Sequence, residues 1–126
     1  MRICRRGHML RCVMGTKVLI WLYGEVKSPP FSKAARIEAG WLLRRVQLGE
    51  SLGMPHSKPM PDLGPNCHEL SVPDHGATWR LMDAVQADAV VILEVFRKKT
   101  RKTPQPVLDA CRRRLQRYLR DEKGKS

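Results

Sequence analysis

Between Ala89 and Phe96, seven of eight residues are apolar and only Glu94 interrupts them. Four of the eight are β-branched (Val90, Val91, Ile92, Val95), which favours an extended chain over a helix. Eight residues fall well short of the ~20 that a membrane helix requires. The run therefore reads as a strand in the centre of a sheet. The rest of the chain has to supply its neighbours and its cover.

The neighbours are legible. Thr78–Val85 predicts a strand joined to the first by a tight turn near Ala87-Asp88, and His68–Val72 predicts a shorter one, set off by the turn Pro73-Asp74-His75-Gly76. Lys17–Tyr23 predicts a buried strand closed by Gly24. Two helices are expected. The first follows Pro29-Pro30, with Ser32 as cap and Gly49 as stop, and carries Ala35, Ala39, Leu42 and Val46 at helical spacing. Gly40 in its middle costs about 1 kcal/mol relative to Ala and predicts close packing there. The second helix starts with Thr103 as cap and Pro104 in the first turn. Its stripe is Val107, Leu108, Cys111, Leu115, Tyr118 and Leu119, with Arg112, Arg113, Arg114, Arg117 and Arg120 over much of the rest. Residues 49–66, rich in Gly and Pro, predict a loop or short helix. Trp21, Trp41 and Trp79 read as core or sheet-packing residues. The fold class is α+β: a small, mostly antiparallel sheet of about four strands with the helices on one face.

At 126 residues the chain makes one domain. Residues 17–120 are expected to form it, between a basic, poorly structured tail at 1–16 and a charged tail at 121–126. Met9 and Met14 are alternative starts for the protein, from which much or nearly all of the tail would not be made. The formal charge of +12 is uneven: +5 over residues 1–17, −2 over 18–96 and +9 over 97–126. Five of the six residues Arg97-Lys98-Lys99-Thr100-Arg101-Lys102 are basic. A cationic loop between a strand and a helix suits a polyanion, nucleic acid before others. Cys4, Cys12, Cys67 and Cys111 have irregular spacing and make no disulfide framework, which fits a reducing cytoplasm. Cys4, His8, Cys12 and Cys67-His68 lack the knuckle spacing of a zinc site, so neither metal nor cofactor is expected. The apolar run Val18–Tyr23 is six residues long with no small-residue cleavage site after it, too short for a signal or membrane segment. A soluble cytoplasmic protein is expected.

Four segments, in order, resemble the RelE/ParE toxin superfamily and its phage-derived, HigB-like branch. They are Gly40-Trp41-Leu42-Leu43-Arg44-Arg45-Val46-Gln47-Leu48-Gly49-Glu50, Lys58-Pro59-Met60, Glu69-Leu70 followed by Trp79-Arg80, and Phe96-Arg97-Lys98-Lys99-Thr100 with Lys102-Thr103-Pro104. The resemblance implies a twisted antiparallel sheet cradling a basic cleft. It also implies an activity: a toxin that cuts mRNA in the ribosome, or a ParE-like inhibitor of gyrase, in either case neutralised by an antitoxin encoded beside it. A catalytically degenerate relative that binds RNA or antitoxin is the third reading.

RNA cleavage without a metal needs a base for the 2′-OH, a cation for the phosphorane charge and an acid for the leaving 5′ oxygen. Arginine suits the second role because its planar fork bonds two phosphate oxygens. Arg80 is the only arginine in the predicted sheet and matches the family's strand arginine, in Gly76-Ala77-Thr78-Trp79-Arg80. Lys98 and Lys99 match the family's basic residues after the last strand, as phosphate ligands or as an acid. His56, beside Ser57-Lys58-Pro59, is the preferred histidine over His68 and His75 for proton transfer. Lys58, Arg97, Arg101 and Lys102 complete the expected RNA contacts. The chain departs from the family at Ser71, where Arg is frequent, and at Asp83, where an aromatic is frequent. A carboxylate at 83 is a candidate partner for Arg80.

Overall fold

The computed structural model describes residues 16–100 and 102–125. Residues 1–15 of the expected tail, the alternative starts, the Cys4/His8/Cys12 set and Arg101 lie outside the described residues. The chain runs β1 (Val18–Trp21), α1 (Lys33–Gln47), β2 (Ser57–Pro59), β3 (Cys67–Asp74), β4 (Ala77–Val85), β5 (Ala89–Lys98) and α2 (Gln105–Lys125). The five strands form one sheet in the order β1-β5-β4-β3-β2.

The run at 89–96 does lie inside the sheet, with β1 on one side and β4 on the other. Two expectations about the sheet need correcting. It has five strands rather than four, because β2 adds an edge strand antiparallel to β3 within the loop-rich segment. It is also mixed, since β1 runs parallel to β5 with Val18 opposite Ala89. A strand far from its partner in sequence can join in either sense, and no turn signal records which.

The helices lie on opposite faces, not one. α1 buries Ala35, Ala39, Leu42, Leu43 and Val46 against Leu70, Val72, Trp79, Leu81, Val90 and Ile92. α2 buries Leu108, Cys111 and Leu115 against Cys67, Met82, Ala84, Val91 and Leu93. Neighbouring residues of β5 thus serve different cores, which explains why that strand is apolar almost throughout. The apolar stripe expected on α2 is wider than the buried one, because Leu119 is exposed. α2 also continues through the charged residues after 120. Among the described residues no helix is long and apolar enough to cross a membrane.

Local signals account for the element ends. Ser32 caps α1, its Oγ accepting from the Ala35 N–H at 3.0 Å. α1 stops at Leu48, with Gly49 at φ 88°. β3 and β4 are joined by the two residues His75 (φ 40°) and Gly76 (φ 79°), the left-handed pair that matches a hairpin's twist. After β1 the chain passes so close to β5 that a Cβ on Gly24 would sit 2.7 Å from Val95 Cβ. The register of β4 with β5 shifts at Met82/Asp83, from Met82 opposite Glu94 to Asp83 opposite Ile92. Leu93 is the extra residue. Its carbonyl accepts from Arg114 Nη1 at 2.9 Å, and Arg114 also pairs with Glu94. The bulge is thereby tied to α2.

Gly40 does not mark close packing: no atom lies within 4 Å of where its Cβ would be. Trp41 is not a core residue either, being 64% exposed, and Trp21 is 40% exposed at the sheet edge. Only Trp79 is core, stacked on Phe31 at 3.9 Å between ring centroids.

Candidate functional site

Alternation along β3 sorts its side chains. Leu70 and Val72 join the α1 core, while Glu69 and Ser71 face the other way. The antiparallel register sets Ser71 opposite Arg80, and Arg80 opposite Phe96. Glu69, Ser71, Arg80 and Lys98 therefore share the α2 face of the sheet, as side chains at even spacing on paired strands must.

Glu69 is fully buried and organises this group. Its Oε1 accepts from Arg80 Nη1 at 3.4 Å, and its Oε2 from Lys98 Nζ at 3.5 Å and from Thr103 Oγ1 at 2.5 Å. Arg80 Nη1 also donates to Ser71 Oγ. Lys98 Nζ donates to Thr103 Oγ1 at 2.9 Å. The expected cap Thr103 thus has its hydroxyl engaged in the buried cluster. The first helical bond is made instead by the Pro104 carbonyl, which accepts from Leu108 N. Two cations share one carboxylate, so the cluster keeps one net positive charge. Burial lowers the Lys98 pKa, opposed by the Glu69 carboxylate and reinforced by Arg80 and Lys58.

Arg80 opens onto a cleft of about 1050 Å³ between the sheet edge and the start of α1. His56, Lys58, Ser71, His75 and Arg80 line it. The main chain holds His56 in place, its carbonyl accepting from Ser71 N at 2.9 Å. The Arg80 side chain is 17% exposed, and its Nε is buried without a partner among the described residues. Asp74 closes one end: its Oδ2 accepts from Ser32 N at 3.0 Å and from Trp79 Nε1 at 2.9 Å. Those two donors, Ser32 first, hold its pKa below the usual carboxylate range.

Of the residues singled out in the sequence, the fold brings Arg80, His56 and Lys58 into one cleft. Lys98 is linked to Arg80 through Glu69, which accepts from both. Lys99 and Lys102 are exposed beyond the end of β5. Arg97 falls on the opposite face, 5.7 Å from the Trp79 ring centroid. Asp83 does not pair with Arg80. It too faces the α1 side, fully buried, with Oδ1 3.1 Å from His68 Nδ1. Burial raises its pKa, and its hydrogen bond in turn raises that of His68. Glu69 and Thr103 were missed as site residues. The available signal was the polar pair Glu69/Ser71 at alternate positions beside Leu70/Val72.

The arrangement can seat an anion at Arg80 and Lys58, with an imidazole near by. Among the described residues no group of three or more His, Cys, Asp or Glu side chains is placed to hold a metal ion. A family model described as "Phage derived protein Gp49-like (DUF891)" matches residues 30–116, more than half of the chain. No curated protein and no solved structure matches it.

Proposed function

The chain belongs to the phage-derived Gp49-like family, which is associated with toxin–antitoxin systems, and from that premise we propose that it is a toxin that cuts mRNA without a metal. The observation that carries this reading is the bracing of Arg80. Its guanidinium is held by Ser71 and the buried Glu69 at the floor of a cleft that also carries Lys58 and His56. A donor fixed in this way stabilises developing charge without reorganising.

In the proposed reaction the ribose 2′ oxygen attacks the adjacent phosphorus while the bond to the 5′ oxygen breaks. A base takes the 2′ proton, and an acid supplies one to the leaving oxygen. The products are a 2′,3′-cyclic phosphate and a 5′ hydroxyl. Arg80 binds the non-bridging phosphate oxygens, Lys58 adds charge, and His56 moves the proton. Lys98 and Thr103 act through Glu69 by fixing the carboxylate that orients Arg80. Lys99 and Lys102 hold the flanking backbone. The target is mRNA in the ribosome, as the resemblance implies.

Induced expression of wild type and Arg80→Ala, with growth followed and cellular mRNA 5′ ends mapped, tests this. Wild type should arrest growth and create new in-frame ends, and the folded Arg80→Ala protein should do neither. Undiminished arrest by Arg80→Ala would remove Arg80 from the mechanism. Arrest with damaged DNA and no new RNA ends would favour the gyrase-directed reading.

A further inference from the structure

α1 is apolar on both sides. Its inner stripe is buried in the sheet. On the outer side Ile37, Trp41 and Leu48 are 57%, 64% and 47% exposed. At ~100° per residue these three fall within about 40° of one another, directly opposite Ala39 and Val46. Scattered exposed apolar residues are ordinary, but an aligned tryptophan, isoleucine and leucine on one helix face mark an interaction surface.

Two further features say what covers it. Lys33 and Arg44 lie beside the stripe and Arg36 farther round the helix, and none of the three has an ion pair among the described residues, whereas Arg45 is engaged by Glu50. Glu38 is the one acidic residue within α1. A second copy of this chain would set these cations against their own kind, so self-association is disfavoured. Gly40 lies between Ile37, Trp41 and Arg44 on the helix surface, with nothing within 4 Å of its missing Cβ. A mid-helix glycine that the protein's own packing does not require leaves room for a neighbouring backbone beside Trp41.

We propose that the outer face of α1 docks an acidic amphipathic helix of the antitoxin, packed over Gly40 and Trp41. This rests on the toxin reading, for the identity of the partner but not for the chemistry of the surface. The docking face adjoins the Arg80 cleft, whose lining includes Ala34 and Glu38 of the same helix, so a helix seated over Gly40 and Trp41 lies beside the cleft mouth.

The test uses two probes on the full chain: a synthetic helix with leucines on one face and glutamates on the other, and the purified product of the neighbouring gene. Titration calorimetry reads the affinity. Trp41→Ala should weaken both by about thirtyfold, the loss expected of a buried aromatic anchor. Gly40→Leu should weaken both by at least tenfold although it is exposed and leaves the fold intact by circular dichroism. Arg44→Glu should weaken both, and Arg80→Ala neither. Affinity should fall as salt rises. Failure of both probes to bind, or binding unchanged by Trp41→Ala and Gly40→Leu, overturns the surface. Dimerisation of the free protein that Trp41→Ala abolishes, or stripe-dependent binding to anionic phosphatidylglycerol vesicles with no peptide binding, assigns the face elsewhere and also overturns it. Stripe-dependent peptide binding with no binding of the neighbouring gene product leaves the surface standing and removes its link to the toxin reading.

Discussion

Strand parity sends Arg80 and Asp83 to opposite faces of β4, and that separation decides what each can do. Arg80 gains Ser71 and Glu69 as neighbours and an opening to solvent. Asp83 gains His68 and stays fully buried. A carboxylate in place of an aromatic at 83 therefore does not pair with the Arg80 guanidinium, and Glu69 takes the role expected of Asp83. The His68–Asp83 pair has its own consequence. The bond to Asp83 raises the His68 pKa above 6.5, while burial opposes the rise. A folded-state pKa above the unfolded one contributes stability that is fully present below 6.5 and lost as pH rises through the raised value. The melting temperature should accordingly decline as pH increases from about 6.5, modestly because His68 is one-third exposed. Asp83→Asn should flatten that part of the profile in thermal melts across pH. An unchanged slope would assign the pH dependence to another group.

α1 shows how far local rules carry an element. Ser32, the four-residue spacing of its buried alanines and Gly49 set its start, inner face and end, and all three appear as the sequence indicates. Gly40 and Trp41 do not, because a helix interior gives no sign of whether a glycine or a tryptophan faces a sheet or open solvent. Since nothing crowds the Gly40 position, Gly40→Ala should stabilise the free protein by about 1 kcal/mol in urea unfolding. A loss of stability would mean that a Cβ does meet something there. α2 differs, because its arginines are divided by partner. Arg112 donates to the Asp62 carbonyl and Arg114 to Leu93 and Glu94, whereas Arg113, Arg117 and Arg120 remain on the outside. The basic face expected of this helix is thus partly structural, tying the bulge in β5 to the helix that covers it.

Across the whole molecule, the +12 charge is less concentrated than the run Arg97–Lys102 suggests. The sheet divides that run, sending Arg97 toward Trp79 and Lys98 toward Glu69, while the cleft draws Lys58 from an edge strand distant in sequence. An RNA bound over Arg80 should register Lys58 and not Arg97. In binding to a single-stranded RNA oligonucleotide at several salt concentrations, Lys58→Ala should reduce the slope of log affinity against log salt by about 0.7, the value of one phosphate contact. Arg97→Ala should leave the slope unchanged. Equal effects of the two would mean that bulk charge and not the cleft governs binding. What the sequence determined by itself is what short-range chemistry controls: four of the strands, both helices, the hairpin at His75-Gly76, the interior place of Ala89–Phe96, and Arg80 as the residue of the sheet worth following. What tertiary structure alone decided is what depends on pairing between distant segments. That covers the parallel docking of β1, the added edge strand β2, the placing of the helices on opposite faces, and the register that puts a buried glutamate between Arg80 and Lys98. Periodicity gives each strand two faces, but only the assembled sheet, by burying both of them, determines which side chains meet on each.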